Sequence, residues 1–212
     1  MCGKIRAKRS WSATVDVADA RIDVADDQTE ALRVMANLPV IVFDGGEPMV
    51  LAMRWGFPDP KDWRRPRPIH ARAETIDTMP AFAAAFRDGQ RGIVLAESFN
   101  EAPDSGDQHI VTPAGPIGLA FVWRRFDIGG AALFACVMAT VPANRLLRGL
   151  PTDRMPAVIA PEDWAVWLGE EAGDARACLR TTEDVRWTLT REERASSTRR
   201  ARPAVSDPGG LF

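Results

Sequence analysis

The sequence predicts a compact α+β domain built around a curved, mainly antiparallel sheet with a few short helices. Apolar, β-branched runs bounded by turn residues recur along the chain, and the helical stretches between them are short. Composition is that of a globular protein, with 46% hydrophobic and 26% charged residues among 212. A chain of this length buries a real core as one domain, or as one domain with a tail.

Strands are expected at Leu38–Phe43, Pro48–Met53, Gly92–Ala96, Ile117–Trp123, Ala132–Thr140 and Val185–Leu189. Helices are expected at Gln28–Ala36 and at Pro80–Asp88, the second with Thr78 as its N-cap and Gly89 as its stop. Two more, Pro142–Arg148 and Pro161–Leu168, begin with Pro near a first turn and are followed by Gly. Proline is dense from Pro58 to Pro68, which reads as a surface loop of the kind that carries binding groups. From about Arg191 the composition turns to Arg, Ser, Pro and Gly. The expected organisation is therefore one domain over residues 1–190 and a flexible tail over 191–212.

Several function classes are excluded at this level. The longest weakly polar run, Ala131–Ala143, is too short for a membrane span, which takes about 18 or more apolar residues. Lys4, Arg6, Lys8 and Arg9 open the chain but no apolar segment follows them, so no secretory signal is expected and cytoplasmic residence is the default. Cys2, Cys136 and Cys178 are too widely spaced for a disulfide framework or a zinc site, and Cys136 and Cys178 read as buried bystanders. His70 and His109 cannot build a multi-histidine site, so no metal and no cofactor are expected.

Net charge is −2, yet it is unevenly spread. Asp16–Glu30 holds six acids and one arginine, whereas Arg54–Arg72 holds six basic residues and two acids. Such asymmetry suits either a local nucleic-acid surface or an ordinary solvated face.

Cys2 is the sharpest chemical feature. Methionine aminopeptidases accept a small second residue, so removal of Met1 leaves an α-amine and a thiol on one residue. The α-amine has an ordinary pKa of about 7.7–8.0 and is partly unprotonated at neutral pH. A thiol becomes a strong nucleophile once a base or positive field draws off its proton. Together they can attack an aldehyde twice, the amine giving a Schiff base and the thiol closing a thiazolidine. A Met-Cys start alone also fits an ordinary residue in a frayed terminus.

Motif order then points to a family. Met1-Cys2-Gly3-Lys4 resembles a Met-Cys-Gly-Arg start, and Met53–Pro58 resembles an Arg-Trp-Gly-Leu-Ile-Pro segment. His70-Ala71-Arg72-Ala73-Glu74-Thr75 is similar to Asn-Ala-Arg-Ala-Glu-Thr, and Phe82 to Phe86 to the Phe-X-X-X-Phe helix after it. Val94–Glu101 is similar to Val-Pro-Ala-Asp-Gly-Phe-Tyr-Glu, Thr152–Pro156 to His-Asp-Arg-Met-Pro, and Trp167-Leu168 to a late Trp-Leu pair. In this order, over roughly Met1 to Leu168, they resemble the SRAP (SOS response-associated peptidase) family of abasic site processing proteins.

That resemblance implies a DNA-damage function. Members bind single-stranded DNA and join the N-terminal cysteine to the aldehyde of an abasic site, and the cysteine is also implicated in removing the initiator methionine. Carried over, Cys2 is the nucleophile and Glu101 the acid/base beside it. Arg72 and Arg154 hold phosphates through planar guanidinium forks, and Lys4 adds a point charge. Trp55 offers a plane for a base, or else is a core tryptophan. Glu101 also suits the chemistry on its own, because a half-buried carboxyl is raised toward working pH, although taken alone it reads more readily as a solvated surface acid.

Two identities depart from the family: its asparagine is His70 here and its histidine is Thr152. Either the site is inactive, or His70 supplies the imidazole that the other motif normally provides. Asn37-Leu38-Pro39 is also only faintly similar to the family's Tyr-Asn-X-Ala-Pro segment. The expected partner is single-stranded DNA with abasic sites; Leu211-Phe212 fits a plain disordered end or, as the alternative, a short sliding-clamp contact, although Pro208-Gly209-Gly210 lacks the glutamine and leucine expected before such an ending. The protein is expected as a monomer, nucleoid-associated when on DNA. Two rival classes are a non-catalytic relative that binds DNA or a replication partner, and a class II amidotransferase-like hydrolase. The latter also starts Met-Cys-Gly, but its Asn-Gly oxyanion pair is absent, since the asparagines here precede Leu38, Glu101 and Arg145.

Overall fold

The computed structural model describes residues 2–8, 15–17, 20–22, 29–101, 108–150, 152–183 and 187–192. Its strands are β1 (Lys4–Lys8), β2 (Val15–Val17), β3 (Ala20–Ile22), β4 (Thr29–Arg33), β5 (Asn37–Asp44), β6 (Glu47–Trp55), β7 (Pro58–Asp59), β8 (Asp62–Pro66) and β9 (His70–Arg72). After helix α1 (Ala83–Arg87) come β10 (Arg91–Glu101), β11 (His109–Thr112), β12 (Ile117–Ile128), β13 (Ala131–Pro142), β14 (Arg154–Pro156) and β15 (Val158–Ile159). Helix α2 (Trp164–Leu168) and strand β16 (Thr188–Arg191) complete the order. The expected α+β class is what the structure has: a curved, mostly antiparallel sheet and two short α-helices.

Among the described residues twelve strands share one sheet, with β2–β3 and β7–β8 as separate hairpins. Strand β10 pairs with both β12 and β5, so the path β12-β13-β6-β5-β10 returns on itself and the sheet curls into a partial barrel. The pinch lies at Ile93 opposite Ile41. Gly92 allows it, since a Cβ there would fall 2.4 Å from Val40 Cγ1. Ile41, Met53, Trp55, Ile93, Leu119, Phe121 and Met138 are fully buried inside the curl.

Strand β10 positions the site. Its first half, Arg91–Ala96, pairs with β12, and its second half changes partners to β1 and β11. Buried on both faces over its first half, it reads as a continuous apolar run from Gly92 to Ala96. Strand β13 does the same for the other motifs. It pairs in parallel with β9, setting His70 beside Met138 and Arg72 beside Thr140, and antiparallel with β14, setting Pro142 opposite Arg154.

Three expected elements take other forms. Of the helix expected over Gln28–Ala36, the described part from Thr29 on is not helical: Thr29–Arg33 is a strand on the outer edge of β1, ending in a turn where Met35 has φ 76°. Pairing with the N-terminal strand overrides local helix propensity there. Pro142–Arg148 is not a helix either, because β13 continues through Pro142 and Asn144 Oδ1 then accepts from Leu147 N at 3.1 Å to start a 3₁₀ turn over Leu147–Gly149. Within Pro80–Asp88 only Ala83–Arg87 is helical, and its N-cap is Phe82; Thr78 instead donates to the Thr75 carbonyl.

The Pro58–Pro68 segment is more ordered than a loop, since β7 and β8 form a hairpin. Gly56, at φ +108°, turns the chain into it, and Arg54 Nη1 donates to the Trp63 carbonyl at 2.9 Å to tie it down. Strand β16 pairs with β11 through Arg191, so the sheet includes that residue, and the tail expected beyond it lies outside the described residues from 193 on. No helix among the described residues is long and apolar enough to cross a membrane.

Candidate active site

Cys2 reaches its place through the ladder beside it. Lys4 stands opposite Asn100 and Arg33, so the two residues before β1 run past the end of β10, where Glu101 lies. Gly3 O accepts from Val34 N at 3.3 Å, and the Cys2 thiol donates to Lys4 O at 3.4 Å. Cys2 and Glu101 are both buried, and with Thr140, Arg154, Met155 and Pro156 they line one crevice.

Burial shifts both acids, and Glu101 also acts on the thiol beside it. Burial, and then the charge of Glu101, push the Cys2 thiol well above its ordinary range. Burial likewise raises the Glu101 carboxyl, although hydrogen bonds from the Thr152 side chain and the Cys2 backbone favour its ionised form. Two adjacent buried acids share a proton more readily than both lose one. The thiol is therefore held protonated, with an acceptor for its proton alongside. Thr152 Oγ1 also lies 3.1 Å from Arg154 O, a second acceptor for its single hydroxyl hydrogen. His70, on β9, places Nε2 2.6 Å from the Cys2 carbonyl oxygen.

The basic residues divide. Arg72 is exposed at the end of β9. Arg154 is buried: Nη2 donates to Glu74 Oε2 at 2.9 Å, Nη1 to Oε1, and Nη2 also to the Thr140 carbonyl. In this structure its guanidinium is engaged by protein groups. Lys4 pairs with Glu192, whose second oxygen accepts from Asn100 Nδ2 at 2.8 Å.

Trp55 is wholly buried, with Nε1 donating to Ile69 O at 3.2 Å and its ring edge-on to Phe121 at 6.0 Å. It presents no face to a base, so the stacking expected of it does not fit this placement. Among the described residues the exposed tryptophan is Trp63 on β8, 45% exposed with the Arg64 guanidinium 5.3 Å from its ring centre. Lys61, Arg64, Arg65 and Arg67 on the same hairpin are exposed too. Trp63 has no motif of its own; an aromatic inside a basic, proline-dense stretch is the one signal in the sequence that points to it.

Glu74 stands in the Ala71–Thr75 motif with no role legible there; its contact with Arg154 spans 80 positions and leaves no local pattern. Cys136 and Cys178 are buried away from this crevice. Among the described residues no group of His, Cys, Asp or Glu could hold a metal ion.

Fold and site together define a class: a partial-barrel α+β protein with a near-terminal cysteine set against a buried glutamate. The chain belongs to the SOS response associated peptidase (SRAP) family, whose model matches residues 1–194. Membership supports a role associated with abasic sites and DNA repair, with peptidase or lyase-like activity in general. No sequence among the curated proteins matches the chain.

Similar solved structures show the same fold. A protein from Bordetella bronchiseptica superposes with TM-score 0.74 at 20% identity, covering 91% of this chain and 100% of its own. One from Bacteroides thetaiotaomicron has TM-score 0.71 at 18% identity over 91% and 93%. A phage-related protein from Bordetella bronchiseptica has TM-score 0.64 at 19% identity over 90% and 94%.

Proposed function

We propose that the protein senses abasic sites in single-stranded DNA and bonds to them through Cys2 as a thiazolidine. With Met1 removed, the free α-amine of Cys2 adds to the aldehyde carbon of the opened sugar, and loss of one water leaves an imine. Sγ then adds to the imine carbon while its proton passes, through Glu101, to the nitrogen. Atoms balance as amine, thiol and aldehyde giving thiazolidine and water. Because the thiol is held protonated, the base beside it carries the step.

The observation behind this reading is the convergence of Cys2, Glu101 and Arg154 on one crevice, with His70 and Thr152 hydrogen-bonded to its members. Arg72 and Arg154 serve phosphates, Lys4 a further charge contact, and Trp63 takes the stacking role expected of Trp55. Removal of Met1 is a peptidase step at the same residue. A clamp contact through Leu211-Phe212 belongs to this proposal as well, and lies outside the described residues.

A second reading, a relative that binds DNA without bonding to it, is favoured by the burial of Cys2. One experiment separates the two. Purified protein is mixed with abasic single-stranded DNA, denatured and run on a gel, with intact mass read in parallel. A covalent species without reductant, lost in Cys2→Ala and kept when Cys136 or Cys178 is replaced, is the expected result. A species of undiminished stability in Cys2→Ala overturns the thiazolidine step.

A further inference from the structure

Arg154 and Glu74 form a two-pronged pair of very unequal exposure. The Arg154 side chain is 8% exposed and that of Glu74 49%. The carboxylate accepts from both Nη atoms, the fork geometry that a guanidinium also offers a phosphate. Glu74 is held ionised chiefly by the hydrogen bond from Arg154, with help from the positive charge of exposed Arg72. One carboxylate thus stands between the two cations that the functional reading assigns to phosphates.

The arrangement around the pair is built to outlast it. Nη2 of Arg154 is also bonded to Thr140, to its carbonyl and to Oγ1 at 3.3 Å, so the guanidinium stays in place if the acid leaves. Its Nε is buried with no hydrogen-bond partner among the described residues, leaving a donor unused. On the other side, Arg176 Nη2 donates to the Glu74 backbone carbonyl at 3.0 Å and pairs with Asp77. The backbone of the 3₁₀ turn Ala73–Thr75 is pinned while the Glu74 side chain faces solvent. A buried guanidinium tolerates exchange of one anion for another far better than loss of both.

We propose that Glu74 is an internal stand-in for a DNA phosphate: its carboxylate occupies Arg154 in the free protein, and a strand phosphate displaces it on binding. This rests on the DNA-binding reading above. The displaced acid makes Glu74 a residue that sets affinity, because the strand meets a site that is closed for most of the time.

The test is binding of an intact, undamaged single-stranded oligonucleotide by fluorescence anisotropy across a salt series, with thermal melting of each variant. Glu74→Gln is expected to bind about tenfold tighter, with its log–log salt slope unchanged, because the parent makes the same phosphate contact once Glu74 is displaced. Its melting temperature should fall, since the pair is lost. A merely structural Glu74 lowers melting temperature and affinity together, so unchanged or weaker binding overturns the proposal.

Arg154→Ala in the Glu74→Gln background should cancel the gain; a gain that survives also overturns it. Should Glu74→Gln fail to fold, Glu74→Asp, too short to span the fork, is held to the same rule. The parent is assayed alongside for abasic-site crosslinking. A parent that crosslinks while Glu74→Gln binds no tighter defeats this inference alone, and a parent that neither binds nor crosslinks defeats the functional reading with it.

Discussion

His70 Nε2 lies 2.6 Å from the carbonyl oxygen of Cys2, a contact spanning 68 positions of sequence. A carbonyl only accepts, so Nε2 carries a proton and donates it. Burial holds the imidazole below its ordinary 6.5, outweighing the opposite pull of this hydrogen bond, so the neutral ring with hydrogen on Nε2 is the form at pH 7. His70 thereby orients the backbone of the proposed nucleophile and keeps Nδ1 as a base.

The first prediction concerns that ring. Between its lowered folded value and 6.5, the unfolded chain binds more protons at His70 than the fold does, so stability rises with pH across that window. His70→Asn should flatten this slope in thermal melts from about pH 5 to 7. It should also slow crosslinking and change its pH profile, while adding Thr152→His should recover part of the rate. A variant that crosslinks as fast as the parent at every pH sinks the exchange and leaves Glu101 as the sole acid/base.

Glu101 carries the opposite sign. Its pKa is raised above 4.5 by burial, so above that value the fold binds more protons than the unfolded chain and stability falls as pH rises through the folded value. Glu101→Gln should therefore raise Tm at neutral pH, by ~2–4 °C for each kcal/mol relieved. Crosslinking should drop by about 10²–10⁴-fold, the usual worth of a positioned acid/base. A variant less stable at pH 7.5 than at pH 5, relative to parent, contradicts the assignment.

The two arginines should separate in a pair of measurements. Arg72→Ala removes an exposed cation and should leave Tm within about 1 °C while flattening the salt slope by about 0.7. Arg154→Ala removes the Thr140 and Glu74 hydrogen bonds from a buried position and should also cost about 1–3 kcal/mol of stability. Equal melting temperatures for both variants count against the buried pair.

The tryptophans offer a cleaner contrast. Trp63→Ala should weaken single-strand binding by about 1–3 kcal/mol, the range for one stacked base, with Tm nearly unchanged. Trp55→Ala empties part of the core and should cost about 3–5 kcal/mol of stability. If Trp63→Ala binds DNA as the parent does, the β7–β8 hairpin is not the stacking surface.

By itself the sequence determined the fold class and the segments that hold the candidate site. Apolar, β-branched runs and turn signals mark most of the long strands, because a stretch buried on both faces is apolar at successive positions. Short ordered motifs mark Cys2, His70, Arg72, Glu101, Thr152 and Arg154, because site chemistry needs particular side chains at particular places in the chain. Only the tertiary structure decided which of these meet and which are open to solvent. It put Trp55 inside and Trp63 outside, made a strand of Thr29–Arg33, and closed Glu74 over Arg154. The reason is common to all three: exposure and pairing are set by neighbours drawn from distant parts of the chain. A carboxylate 80 residues away in sequence leaves no periodicity for an arginine to be read against.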